Sequence, residues 1–142
     1  MAAFNKYNDY ALRLGQGVHQ LHAAGHTLKV MLSNTAPNAA THTVRADVTE
    51  ISAGNGYTAG GTDVQNDYTA TTGVGTMTAV DVVFTASGGT IGPFRYAILY
   101  NDTPTSPADP LIGWWDYGSA VTLQDTELFT VDFGAAVWTL TT

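Results

Sequence analysis

Apolar and polar residues alternate along much of this chain with a period of two, the spacing that lines one face of a β-strand. The alternation is densest in residues 91–117. In a first run, Phe94, Tyr96, Ile98 and Tyr100 fall on one side of an extended ribbon, with Arg95, Ala97 and Leu99 on the other. In a second, Leu111, Gly113, Trp115 and Tyr117 alternate with Ile112, Trp114 and Asp116. Both runs are rich in the aromatic and β-branched side chains that suit a half-buried pleated surface. Between them, residues 101–110 carry Pro104, Pro107 and Pro110, each lacking an amide donor and fixing φ, so no ladder crosses this stretch. The pattern predicts two central strands joined by a long, stiff, exposed connection, with the core built around them.

The same period identifies the neighbours. Residues 27–32 read as a strand with Leu28, Val30 and Leu32 on one face, and 33–43 as a loop. Residues 44–51 fit either a strand or one helical turn. Asn55-Gly56 is a strong turn signal, because both residues tolerate positive φ. Residues 76–85 alternate as one strand, with Met77, Ala79, Asp81 and Val83 opposite Thr78, Val80, Val82 and Phe84. Residues 121–123 form a further short strand. In 127–133, Phe129, Val131 and Phe133 face away from Leu128, Thr130 and Asp132, and 137–141 close the chain. Phe94, Tyr96 and Ile98 are expected to share an inner face with Phe129 and Val131. Residues 3–26 read two ways: Tyr7, Tyr10 and Leu12 to Leu14 suit a strand, and Val18 to Ala23 a short helix bracketed by glycines. Eight or nine short strands at this spacing predict one all-β domain over residues 1–142, a β-sandwich of jelly-roll type.

Composition narrows the function classes. The chain has 142 residues, no cysteine and only 12% charged residues, against about 25% in an average domain. Disulfide scaffolds and cysteine-ligated zinc are excluded. No apolar run is long enough for a membrane span, and the first residues lack a secretory signal's apolar stretch, so a cytoplasmically made protein is expected. Charge is uneven. Lys6, Arg13, Lys29 and Arg45 against Asp9 give residues 1–45 a formal +3, whereas the rest carries −10. An acidic body of this kind argues against a nucleic-acid partner.

Candidate chemistry is sparse. His19, His22 and His26 have the spacing of one helix face, but no carboxylate stands nearby as a second shell, and Gly25 interrupts the helix they need. No metal or other cofactor is expected. Residues 54–61 have the wrong glycine spacing for a phosphate loop and no helix after them. Asp116 and Asp132 exemplify the carboxylate pairs from which a glycosidase is built, yet both read as solvent-side strand residues. With neither a Gly-x-Ser-x-Gly elbow nor a cysteine nucleophile, the chain does not read as an enzyme. Trp114 and Trp115 must point to opposite faces. At least one belongs to the core, and the other fits a subunit contact or, less well, a sugar-stacking plate beside loop acids.

Several stretches together resemble a family of small virion-associated proteins of tailed bacteriophages. They are the start Phe4-Asn5-Lys6-Tyr7, LKVMLSNTAPNAAT at 28–41, ADVTEISAGNGYTAGG at 46–61, TASGGTIGPFRYAILYNDTP at 85–104, PLIGWWDYGS at 110–119 and FTVDF at 129–133. The resemblance covers nearly the whole chain, departing at residues 15–26, and its motifs are structural, with no catalytic residue to carry over. It implies a virion component. The expectation that follows is a capsid decoration (cement) protein, a homotrimer bound to the outer face of the major capsid protein. A tail- or fibre-associated adaptor is the alternative, and a carbohydrate-binding tip a more distant one. The expected contact residues are Asp102, Pro104 and Pro107 on the connection, Trp114 and Trp115, and Arg13 and Arg45 as grips for a neighbour's carboxylates.

Overall fold

A computed structural model describes residues 2–142 of the chain. The strands are β1 (Asn5–Lys6), β2 (Leu28–Ser33), β3 (Thr62–Asp63), β4 (Asp67–Thr71), β5 (Val74–Thr78), β6 (Val82–Thr85), β7 (Ile91–Asn101), β8 (Leu111–Leu123), β9 (Leu128–Val131) and β10 (Trp138–Thr141). Among the described residues, one helix, α1 (Asn8–Gly15), and a 3-10 turn at Arg45–Asp47 complete the regular structure. The class is all-β, as the alternation predicts.

All pairings between these strands are antiparallel. They form a five-stranded sheet in the order β1-β8-β7-β2-β3, a three-stranded sheet β10-β5-β4 and a two-stranded ribbon β6-β9. The two central strands of the sequence reading are β7 and β8, adjacent in the large sheet and 11 and 13 residues long. One face of that sheet presents Leu28, Val30, Leu32, Leu99, Ile112 and Trp115 to Met77 of the small sheet and to Val82, Phe84 and Val131 of the ribbon. This is a sandwich-like arrangement with one continuous core across all three sheets. The opposite face is covered as well. Met31, Ile98, Tyr100 and Leu111 pack there with Tyr7, Val48 and Tyr96, and Trp114 leans on the cluster. A strand buried on both sides explains why 96–101 is unbroken in its burial.

Four sequence expectations are corrected. First, Phe94 does not share a face with Tyr96 and Ile98. The pairing of β7 with β8 shifts register between Phe94 and Tyr96, and such an irregularity reverses which parity of residue points inward. Phe94 therefore joins Ala97, Leu99 and Val131 in the large core, with its ring 4.9 Å from that of Phe129. Tyr96 and Ile98 lie on the other face. Second, residues 76–85 are two strands. Met77 is buried in β5 and Val82 and Phe84 in β6, an odd-to-even change that no strand without an irregularity can carry. The break at 79–81, where the Val80 amide donates to the Val64 carbonyl at 2.8 Å, moves the chain from one sheet to the next. Third, residues 8–15 are helical. Tyr10 turns inward, and Asp9 and Arg13 meet four residues apart at 3.1 Å on the side of the helix. The extended reading of this stretch fails because Tyr7, Tyr10 and Leu14 are spaced at three and four residues, the period of a helix face and not of a strand face. Residues 121–123 are also not a separate strand but the far end of β8.

Candidate functional site

The connection between β7 and β8 is ordered by its own hydrogen bonds. At its base the Asn101 amide donates to the Pro110 carbonyl at 3.0 Å, and the Asp102 amide donates to the Thr27 carbonyl at 2.9 Å. Asp102 also pairs with Lys29 on β2 at 3.0 Å. Within the loop the Asp109 amide donates to the Pro104 carbonyl at 3.2 Å, and Thr105 bridges to Ala108. On the far side, Val44 bridges to Pro110 and the Arg45 amide donates to the Asp109 carbonyl at 2.9 Å. Thr103, Thr105, Ser106 and Ala108 are exposed, while Pro104 and Pro107 are half-buried. Burial, with the nearby Asp102 carboxylate, pushes the Asp109 carboxyl above its ordinary range. The loop thus combines a fixed backbone with a polar outer edge.

Beneath it, Asn101 is buried and its side-chain nitrogen lies 3.1 Å from Nδ1 of His19 and 2.9 Å from Nδ1 of His26. An amide nitrogen only donates, so both imidazoles accept at Nδ1. Neutral His19 then carries its proton on Nε2, a buried atom with no partner among the described residues. The three histidines are not gathered around a vacant centre. Among the described residues there is no group of three or more histidines and carboxylates placed to hold a metal ion.

The arginines expected to reach a neighbour are engaged within the chain. Arg13 pairs with Asp9. Arg45 donates to Glu50 at 2.9 Å and lies over the Tyr100 ring at 5.4 Å. Glu50 also accepts from the Tyr57 hydroxyl and the Gly60 amide, each at 2.6 Å. Burial, reinforced by that carboxylate, raises the Tyr57 hydroxyl well above its ordinary pKa. The tryptophans likewise serve the fold. Trp115 is 8% exposed and packs on Phe4 and Phe133. Trp114 is half-buried, with its ring 4.7 Å from that of Tyr7.

A cleft of about 430 Å³ opens where β7, β8 and β9 converge, lined by Arg95, Trp115, Asp116, Tyr117, Phe129 and Asp132 among others. Arg95 grips Asp116 with two parallel bonds, Nε to Oδ1 at 2.8 Å and an Nη to Oδ2 at 3.1 Å. That hydrogen bonding holds the Asp116 carboxyl below its ordinary range. Tyr117 is 57% exposed and stands edge-on to Phe129 at 5.3 Å. Asp116 and Asp132, noticed in the sequence only as an example of a carboxylate pair, line the same cleft. Arg95, Tyr117 and Phe129 were not singled out. Their only sequence signal was an aromatic and charged side chain on strands already expected to be neighbours. No known protein family, curated protein or solved structure matches this chain.

Proposed function

We propose that this protein is a structural component of a tailed-bacteriophage virion, a decoration protein that binds the outer face of the major capsid protein as a homotrimer. The observation that carries the reading is the 101–110 connection. Its backbone is held at both ends and across its middle before any partner arrives, so docking costs little further conformational entropy. The stretches that resemble virion-associated proteins supply the choice of partner, and Asp102, Pro104 and Pro107 sit on the surface that would meet it. The carboxylate-rich exterior is unsuited to a phosphate backbone, so nucleic acid is not the partner proposed. Arg13 and Arg45 are not part of the proposed contact, since each already has a carboxylate.

Copy number in purified virions tests the position. On the order of hundreds of copies, in multiples set by shell symmetry, agree with decoration. A handful per particle moves the protein to the tail, and its absence from virions overturns the reading. Replacing residues 103–109 by a Gly-Ser segment of equal length tests the loop. The variant should fold normally, because the core lies elsewhere, and should bind the shell about tenfold or more weakly. Unchanged occupancy removes the loop from the contact.

A further inference from the structure

We infer that the cleft between β7, β8 and β9 is a binding site for a neutral saccharide, one pyranose ring lying against the Tyr117–Phe129 edge with its hydroxyls on Arg95, Asp116 and Asp132. This goes beyond the virion reading and does not depend on it. The cleft volume of about 430 Å³ falls within the roughly 300–1,000 Å³ typical of small-molecule sites, which pair apolar walls with a few convergent polar groups.

The chemistry of the walls selects the ligand class. Phe94, Phe129 and Tyr117 form a chain of edge-on rings, with centroids 4.9 Å and then 5.3 Å apart. Its outer member is exposed over more than half its surface, which leaves ring surface for the apolar face of a sugar. The polar side of the cleft offers donors and acceptors together. Arg95 uses two of its five N–H groups on Asp116 and keeps the others. Asp116 accepts from Arg95 and from the Gly118 amide at 2.8 Å, and Asp132 accepts from the Gly134 amide at 2.7 Å. Each carboxylate retains lone pairs. A hydroxyl both donates and accepts, so adjacent hydroxyls on one ring can satisfy this mixed set. A phosphate or carboxylate ligand meets a formal −1 from Arg95, Asp116 and Asp132, within a chain of net −7, and is repelled. A wholly apolar ligand strips water from three charged groups and returns no hydrogen bond. The neutral polyol with one apolar face is the class left.

The fork between Arg95 and Asp116 positions the site. It holds both planar groups in register, so their free edges are presented without the entropy loss of ordering a loose arginine. Neither carboxylate is assigned a catalytic part.

The test is a titration of the full chain with maltose, cellobiose, lactose and chitobiose, followed by amide shifts in two-dimensional NMR, with glucuronate as the anionic control. At least one disaccharide should shift the Asp116, Tyr117 and Thr130 amides with a dissociation constant on the order of 1 mM. Tyr117→Ala and Asp132→Asn should each weaken it by about tenfold. Tyr117 and Asp132 are surface residues, and the spectrum itself reports whether the variants fold. Silence with all four disaccharides at about 20 mM, twenty times the expected constant, overturns the inference. So does tighter binding of glucuronate, or shifts that survive both substitutions. None of these outcomes bears on copy number in the virion.

Discussion

The Asn101 side-chain nitrogen has two hydrogens, and the fold spends both on imidazole nitrogens. That arrangement requires His19 to stay unprotonated at Nδ1. Burial lowers the His19 pKa from 6.5 to about 4, with the His26 charge acting in the same direction. Asp9 opposes the shift, Arg13 adds to it, and the Tyr10 ring packs 5.1 Å away. The unfolded chain therefore binds the proton more readily between these values, so stability is full above pH 6.5 and falls as the pH drops towards 4. The size is on the order of 3 kcal/mol. Thermal unfolding across that window should show the decline in the wild type and a flatter profile in His19→Gln. A second residue-scale expectation concerns Glu50. Glu50→Ala strands a guanidinium, a buried hydroxyl and an amide, and should cost about 3 kcal/mol in urea unfolding at unchanged m-value. Glu50→Gln, which keeps one acceptor, should cost less. Neither network was legible in the sequence. The histidine spacing suggested a helix face, whereas the bonds that fix His19 and His26 come from a residue more than seventy positions away.

Among the elements, the long strands were legible and their interruptions were not. Alternation located β2, β7, β8 and β9 because each carries several apolar residues in phase. It misassigned the inner face of Phe94, Tyr96 and Ile98, since a register shift leaves no mark on a sequence that is apolar on both parities. The division of 76–85 into β5 and β6 was visible in principle, as the buried set changes from Met77 to Val82 and Phe84. Ala79 and Val80 bridged the gap and hid it. At the sheet edge, β1 depends on Gly113. A Cβ there would collide with the Asn5 carbonyl and the Phe4 ring, so β1 can lie beside β8 only while that position is bare. Gly113→Ala should displace β1 at a cost of about 2 kcal/mol. Hydrogen exchange should quicken at the Tyr7 amide, which donates to the Ile112 carbonyl at 3.1 Å, while β2 and β7 amides keep their protection.

For the molecule as a whole, the accessible surface is 6990 Å², against about 7,000 Å² expected for a compact monomer of this mass. The chain thus buries as much of itself as a free-standing protein does, and association is not needed to complete the core. Met77 is fully buried where the small sheet meets the large one. Met77→Ala should cost about 3 kcal/mol and lower one common unfolding transition seen by far-ultraviolet circular dichroism and by tryptophan fluorescence. EDTA should leave that transition where it was, because the Nδ1 atoms of His19 and His26 are already taken by Asn101.

All five cationic side chains are matched inside the chain. Four sit in ion pairs, and Lys6 lies over the rings of Phe4 and Trp138 at 6.0 and 5.8 Å. The field that leaves the molecule is therefore dominated by its remaining carboxylates, and on the proposed decoration reading neighbouring trimers on a shell repel as they approach. At about 10 mM ionic strength that repulsion reaches some 30 Å, and at physiological salt only about 8 Å. Loading on a crowded surface should then be self-limiting in dilute buffer, each bound copy slowing the next, and should approach saturation as salt is added. A basic docking surface would show the opposite trend for the first copies to arrive, so the two slopes of occupancy against ionic strength separate neighbour from host.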